Sequence, residues 1–579
     1  MQVNNTDSIS IISKATKNNW DKLGTKIENR LTSRANKKLS EKHIIPKEYF
    51  TNSNNIRWIQ NFLSNLSASW QIESIILSAA KNLLYKKKLL HKWHVQEVLS
   101  QYDYPIIDGI LNNEFPTDEH DILGIIYQCL LTEGEKNITG AYYTPYHITT
   151  SMTKECVFSN NQKFLDPCCG TGSFLLSIEN AHPTQLYGID CNPIAVMIAK
   201  INLLLKYDNC EFIPNIVCSN FLDDGLFCNH QAYLVHKYDY IITNPPWGAS
   251  NHLQSTDKVQ TESFSQFFVE AYKLLNNNGF IRFLFPESIL NVKTHYKFRK
   301  FILENTDLQQ ITYYTTTFNG VLSKIVDICS VKKDISRIVR IVKNNKLITI
   351  PKSNFSKTES LVFHSMNEMD ISIVEQVRLY ANHTLKDSIW ALGVVTGDNK
   401  KKVLEQCTDG SEPIYTGKDV QPFSLKEPSK FIVYHREQMQ QVANEEYYRA
   451  QEKLVYKFIS DKLVFAYDNT KRLCLNSANI LIPHIPNMHI KTVLALLNST
   501  MYQYLYATLF SEIKILKGNL MELPFPTLTK EQDIEITQIV DKILEGDNMQ
   551  IPVLNGIIFQ LFNLANNQIQ YIEQGLWKN

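Results

Sequence analysis

Between about residues 136 and 345 the chain alternates short apolar runs with stretches of helical periodicity. The runs Lys163–Asp166, Gln185–Asp190, Glu211–Ile213 with Ile216–Val217, and Tyr238–Thr243 read as buried strands. Ser173–Ala181 and Pro193–Leu205 carry the three- and four-residue spacing of helices between them. Asp166, Asp190, Asn220 and Asn244 end or follow these strands at separations of 24, 30 and 24 residues. That is the βα repeat of a parallel, doubly wound sheet, in which ligands bind beyond the carboxyl ends of the strands. Further strands are expected at Gly279–Phe285 and Asp327–Val331.

The flanks have a different pattern. Residues 1–135 are rich in helix formers, with apolar positions such as Ile75, Ile76, Leu77, Leu83, Leu84, Leu89, Leu90 and Trp93 at helical steps, and predict a helical amino-terminal domain. The α/β core then occupies 136–345, a connector 346–385, and a mixed α+β region with turn signals such as Thr396-Gly397-Asp398-Asn399 and Thr416-Gly417-Lys418-Asp419 occupies 386–545. Residues 546–579 read as a helical, Asn/Gln-rich end.

The composition is ordinary for a globular protein: 579 residues, 44% hydrophobic and 20% charged. With 59 Lys and Arg against 58 Asp and Glu the formal charge is +1, which excludes a globally basic polymer-coating protein but not a local basic cleft. Basic residues do gather in the amino-terminal region, at Lys14, Lys17, Lys22, Lys26, Arg30, Arg34, Lys37, Lys38 and Lys86–Lys88, as a solvated helical face or a docking surface for DNA or a partner. The start of the chain lacks a basic segment followed by an apolar one, and no run of 18 apolar residues occurs, so neither a secretion signal nor a membrane span is expected. Eleven cysteines without a C-x-x-C pair predict reduced thiols and a cytoplasmic protein.

Four constellations carry candidate chemistry. Asp166-Pro167-Cys168-Cys169-Gly170-Thr171-Gly172 sits between a strand and a helix. It lacks the Lys-Ser/Thr of a nucleotide P-loop, and a carboxylate ahead of a short glycine loop suits a cofactor with an amino-acid portion. Asp190 ends the next strand, where a carboxylate accepts from a ribose diol or caps the following helix. Asn220-Phe221 follows the third strand; an amide pairs with an adenine edge while a phenyl ring stacks on it. Asn244-Pro245-Pro246-Trp247 follows the fourth. The prolines remove two donors, leaving the Asn244 carboxamide oxygen and the Pro245 carbonyl as acceptors beside a flat indole. Two acceptors can hold both hydrogens of an exocyclic amine and bring its lone pair out of conjugation for attack on an activated methyl group. No metal is required for that transfer.

With Gly140-Ala141-Tyr142-Tyr143-Thr144-Pro145 ahead of these motifs, the order resembles the adenine-N6 DNA methyltransferases of restriction–modification systems. It looks most like TaqI-like, type I and type IIG enzymes, whose recognition domain is carboxyl-terminal. The resemblance covers about residues 120–530. It implies a Rossmann-like methyltransferase core using S-adenosylmethionine. Tyr143 and Thr144 would touch its methionine part, Asp166, Pro167 and the Gly170–Gly172 loop its amino-acid end, Asp190 the ribose, and Asn220 and Phe221 the adenine. Asn244, Pro245, Pro246 and Trp247 would be catalytic. Asn220 departs from the pattern, since many relatives carry Asp there, and altered cofactor affinity is expected. The far segments Leu392–Lys400, Tyr415–Val420, Leu496–Ser499, Lys514–Leu520 and Leu523–Pro526 are similar to the recognition domain of such enzymes.

The implied reaction is methylation of a flipped adenine in double-stranded DNA. Trp247, Phe264 and Phe267 are candidates to line the base pocket, and Lys293 and Arg299, with Lys297 and Lys300, to hold phosphates near it. Arg436, Arg449, Lys457, Lys471 and Arg472 are candidate DNA contacts in the recognition region. A separate restriction endonuclease or specificity subunit is a partner that such a system admits. Rival readings are methylation of RNA adenine or a protein glutamine amide by the same motif, an inactive DNA-positioning module, and a nuclease fused in the helical region.

Overall fold

The computed structural model describes residues 40–139, 143–159, 161–222, 237–247, 263–314, 324–332, 336–357, 361–510 and 514–576. The chain forms two compact units, one from Lys37 to Phe363 and one beginning at His364. The basic residues expected before Ser40 lie outside the described residues, as do Gly140, Ala141 and Tyr142.

The first unit is built on a nine-stranded sheet: β1 (Phe164–Asp166), β2 (Leu186–Asp190), β3 (Asn215–Cys218), β4 (Tyr238–Thr243), β5 (Leu275–Pro286), β6 (Asp307–Tyr314), β7 (Ile325–Val331), β8 (Ile338–Lys343) and β9 (Lys346–Pro351). The order is β3-β2-β1-β4-β5-β7-β6-β8-β9. β1 to β5 run parallel, while β7 is antiparallel to both β5 and β6. Period-two alternation assigns the two faces. Phe164, Ile242 and Leu284 belong to one core and Leu165, Ile241, Phe283 and Phe285 to the other.

The helical region does not stand as a domain of its own. α1 (Asn55–Ser64), α2 (Ile72–Lys86), α3 (Trp93–Leu99) and α4 (Ile122–Leu130) place Ile59, Ile76, Val95 and Ile126 in the same core as Phe164 and Leu284. α5 (Tyr146–Thr153), α6 (Ser173–Ser177) and α7 (Pro193–Lys206) share that face, whereas α8 (Ser263–Leu274) and α9 (Tyr296–Asn305) cover the other. An apolar stripe on an amino-terminal helix reveals burial but not the partner that buries it.

Some expected elements are shorter. α6 ends at Ser177, where Lys206 of α7 donates to the carbonyls of Leu176 (2.8 Å) and Ile178. Glu211–Ile213 is not strand: Pro214 follows it, and Phe212 packs on Tyr207 and His94 instead. Two further strand regions carried a disguised pattern. In β6 the buried residues include Gln310 and Thr312, which bond each other at 3.0 Å while Thr312 accepts from Arg282 at 3.2 Å. β8 and β9 fall across the expected boundary at 345, so the segment 346–385 is divided between an edge strand of this sheet and a helix of the second unit.

The second unit holds two four-stranded sheets. One is antiparallel, in the order Ile389–Ala391, Ala478–Ile482, Lys453–Lys457, Phe465–Asp468. The other orders Val403–Leu404, Phe431–Ile432, Glu412–Tyr415 and Leu473–Cys474. Helices Glu368–Tyr380, Ile490–Asn498, Thr500–Leu509, Lys530–Leu544 and Gln550–Leu561 share one core through Val377, Leu494, Tyr502, Val540 and Ile558. Among the described residues no helix is long and apolar enough to cross a membrane.

Candidate active site

The strand order sets the site. Because β3, β2, β1 and β4 are neighbours, residues that end or follow them in sequence meet at one edge of the sheet. Asp166 ends β1 and is fully buried. Its Oδ1 accepts from Thr243 Oγ1 at 2.6 Å and from the Cys168 amide at 3.1 Å. Its Oδ2 is buried and has no hydrogen-bond partner among the described residues. Burial raises this carboxyl to about 7, against the two hydrogen bonds and with a further push from the neighbouring Asp190 charge.

The glycine loop leaves β1 in a tight turn, with Gly170 at φ +52° and Gly172 at φ +95°. The Tyr143 ring lies over Gly170, where an added Cβ would come within 2.9 Å of it. Asp190 does more than the sequence implied. Its Oδ2 accepts from the Gly170 amide at 2.8 Å and its Oδ1 from the Asn192 amide at 2.9 Å, so it fastens the loop to β2. A carboxylate has about four lone-pair positions, so a diol can still be accommodated. Asn192 caps α7 by accepting from the amides of Ile194 and Ala195, and it donates to Tyr127 Oη at 2.8 Å. Asn220 is exposed and accepts from the Leu222 amide at 3.2 Å; Phe221 is buried and stacks on Phe267 at 5.6 Å.

Asn244 follows β4 directly, and its Nδ2 donates to Thr144 Oγ1 at 3.2 Å. With its amide hydrogens turned toward Thr144, the carboxamide presents its oxygen elsewhere. Ser263 Oγ donates to the Pro246 carbonyl at 2.7 Å and ties the proline turn to α8. Trp247 is half-buried against both cores. Beside Thr144 opens a concavity of about 440 Å³ that also meets Tyr143, Tyr146, His120, Asp121 and Ser173. The His120 and Tyr146 rings stack there at 3.7 Å. The links through Thr243, Thr144 and Ser263 carried no signal in the sequence, because a lone hydroxyl has no spacing to betray its partner.

Several expected contacts do not survive the geometry. Phe264 is fully buried among Phe285, His295 and Phe298, so it is core rather than pocket wall. Phe267 is buried too, against Phe221. Arg299 is fully buried and donates to the carbonyls of Ile289 (2.8 Å), Val292 (2.9 Å) and Leu361 (3.0 Å), so its guanidinium is not presented to a phosphate. Lys293 is exposed. In the second unit Arg449 forms a bidentate pair with Glu412 at 2.7 Å, and Arg472 lies over the Tyr415 ring while pairing with Glu427 at 2.9 Å. Both are braced within the unit, whereas Arg436 and Lys471 are exposed.

A doubly wound sheet in this order, parallel from β1 to β5, with a glycine loop after β1 and an acid ending β2, is a Rossmann-like methyltransferase core. Residues 118–375 match the N-6 DNA Methylase family and residues 412–525 the TaqI-like C-terminal specificity domain. Together the two matches support an adenine-N6 DNA methyltransferase of the restriction–modification type. It is 27% identical over 383 residues to the type II methyltransferase M.VspI of Vibrio sp. (strain 343), covering 63% of this chain and 91% of that one. It is 29% identical over 235 residues to the type II restriction enzyme and methyltransferase RM.BcgI of Heyndrickxia coagulans, covering 37% of this chain and 34% of that one. The fold is similar to the type IIL restriction-modification enzyme MmeI in complex with DNA, at a TM-score of 0.55 and 12% identity over 96% of this chain and 97% of that one. It is also similar to a DrdV–DNA complex, at 0.51 and 12% over 94% and 73%. The RNA and glutamine-amide readings are not favoured, since the matched family model is that of the N-6 DNA methylases.

Proposed function

We propose that the chain methylates a flipped adenine with the Asn244–Trp247 turn as its catalytic element and the β1 and β2 ends as its cofactor site. The donor set fits the cofactor. The partnerless, buried Asp166 Oδ2 is the kind of acceptor an ammonium group satisfies, and the left-handed glycines let backbone approach a ligand closely under the Tyr143 ring. Asp166, Pro167 and Gly170–Gly172 would hold the amino-acid end, Tyr143 and Thr144 the methionine part, Asp190 the ribose, and Asn220 with Phe221 the adenine. When bound, S-adenosylmethionine supplies an electrophilic methyl group.

The rest is done by the chain's own groups. Thr144 holds the Asn244 amide nitrogen, which directs the Asn244 oxygen as an acceptor. Together with the Pro245 carbonyl it would take the two hydrogens of the target amine and localise its lone pair. Trp247 offers the face against which the extruded ring lies. The observation that carries this reading is the Asn244–Thr144 hydrogen bond, which joins the catalytic turn to the segment before the sheet. A separate restriction endonuclease would complete the biological system. The test is Asn244→Ala, assayed with S-adenosylmethionine and duplex DNA. Methyl transfer is expected to fall below detection while the dissociation constant for the cofactor stays within about threefold, and unchanged turnover would refute the mechanism.

A further inference from the structure

The glycine loop is held from three directions, and only one of them belongs to the motifs already assigned. Asp190 grips the Gly170 amide from β2. From α7, Asn202 Nδ2 donates to the Thr171 carbonyl at 3.0 Å. From the amino-terminal end of α4, Asp121 reaches into the loop: its Oδ2 accepts from Thr171 Oγ1 at 2.5 Å. The other oxygen of the same carboxylate accepts from the Gly124 amide and from Asn202 Nδ2, both at 2.7 Å. Thr171 is fully buried and lies between the two left-handed glycines, so fixing its side chain and its carbonyl fixes the loop.

Gly124 makes room for this arrangement. A Cβ there would lie 2.1 Å from Asp121 Oδ2 and 2.6 Å from Thr171 Oγ1. Gly124 is helical and needs no positive φ, so its lack of a side chain serves clearance alone. A helix cap needs only one carboxylate oxygen; the second is spent on the loop.

We propose that Asp121 is a positioning residue for cofactor binding, acting through Thr171 to hold the glycine loop in its binding-competent shape. This rests on the reading that the loop binds S-adenosylmethionine. Calorimetric titration of S-adenosylmethionine into the full chain tests it. Asp121→Asn, Thr171→Val and Gly124→Ala are each expected to raise the dissociation constant about tenfold, the scale of one net hydrogen bond. In Asp121→Asn and Gly124→Ala, which lie outside the loop, KM for the cofactor should rise in step, while kcat at saturating cofactor stays within about twofold. Thr171→Ser, which keeps the hydroxyl, should bind as the parent does. The Asp121→Asn/Thr171→Val double variant should be no weaker than the poorer single variant, because both remove the same contact. Parent-like affinity in Thr171→Val, or additive losses in the double variant, would overturn the proposal. Failure of the parent protein to bind S-adenosylmethionine would instead overturn the reading of the site.

Discussion

Asp166 shows how one buried carboxylate couples folding, ligand binding and pH. In the folded chain burial lifts it from the usual 3.8 to about 7. Between those values the folded state holds a proton that the unfolded state has released, so the stability of the cofactor-free protein falls as pH rises through that window. Cofactor binding has the opposite slope, since an ammonium is held by the carboxylate and not by the acid. The association constant for S-adenosylmethionine should therefore rise about tenfold per pH unit below 7 and level off above it. Asp166→Asn should flatten that profile. Thr243→Val removes a hydrogen bond that favours the carboxylate, so it should move the midpoint upward. A pH-independent affinity in the parent protein would contradict this account. Asp166, Asp190 and the Asn244 turn were visible in the sequence because strand ends and glycine or proline punctuation mark them. Thr144 and Thr243 were not visible as linkers, since their partners lie 100 and 77 residues away.

At the scale of elements, the antiparallel insertion of β7 is held by a buried pair. Arg282 of β5 donates to both oxygens of Asp327 on β7, at 2.7 and 3.1 Å, and Tyr314 of β6 donates to the same carboxylate at 2.7 Å. Arg282 and Asp327 are almost wholly buried, so removing one partner leaves an uncompensated charge. Asp327→Ala should cost about 3–5 kcal/mol in denaturant unfolding, whereas replacing both residues by apolar ones of similar volume should cost far less. Equal losses for the single and double replacements would argue against a charge-based cause. The apolar runs of β1, β2, β4 and β5 announced themselves, as parallel central strands do, and so did that of β7, which is antiparallel but buried along almost its whole length. β6 did not, because a buried polar network interrupts its alternation.

For the whole molecule, the residues proposed to hold the cofactor fall in one unit, and the TaqI-like specificity match in the other. Cofactor at 100 times its dissociation constant should stabilise the unit that binds it by about 2.7 kcal/mol. Leu494 is fully buried in the core of the other unit, so Leu494→Ala should destabilise that unit by about 2–5 kcal/mol. Calorimetry should find the affinity for S-adenosylmethionine unchanged in this variant; a tenfold loss would contradict the assignment of the site to one unit. Of the exposed cations, Arg436→Ala should reduce the salt dependence of DNA binding, whereas Arg449→Ala should act mainly through its lost Glu412 pair.

Local chemistry sufficed to establish the succession of strands from β1 to β5, the glycine loop, the acidic strand ends and the proline-locked turn, because each depends on residues adjacent in the chain. Long-range packing settled the rest. It joined the amino-terminal helices to one face of the sheet, carried the sheet on through β9, sent Phe264 and Arg299 inward, and brought Asp121 to the glycine loop. A periodic stripe specifies that a face is buried, and a carboxylate that a donor is wanted. Which distant surface or donor answers is decided only when the whole chain has closed.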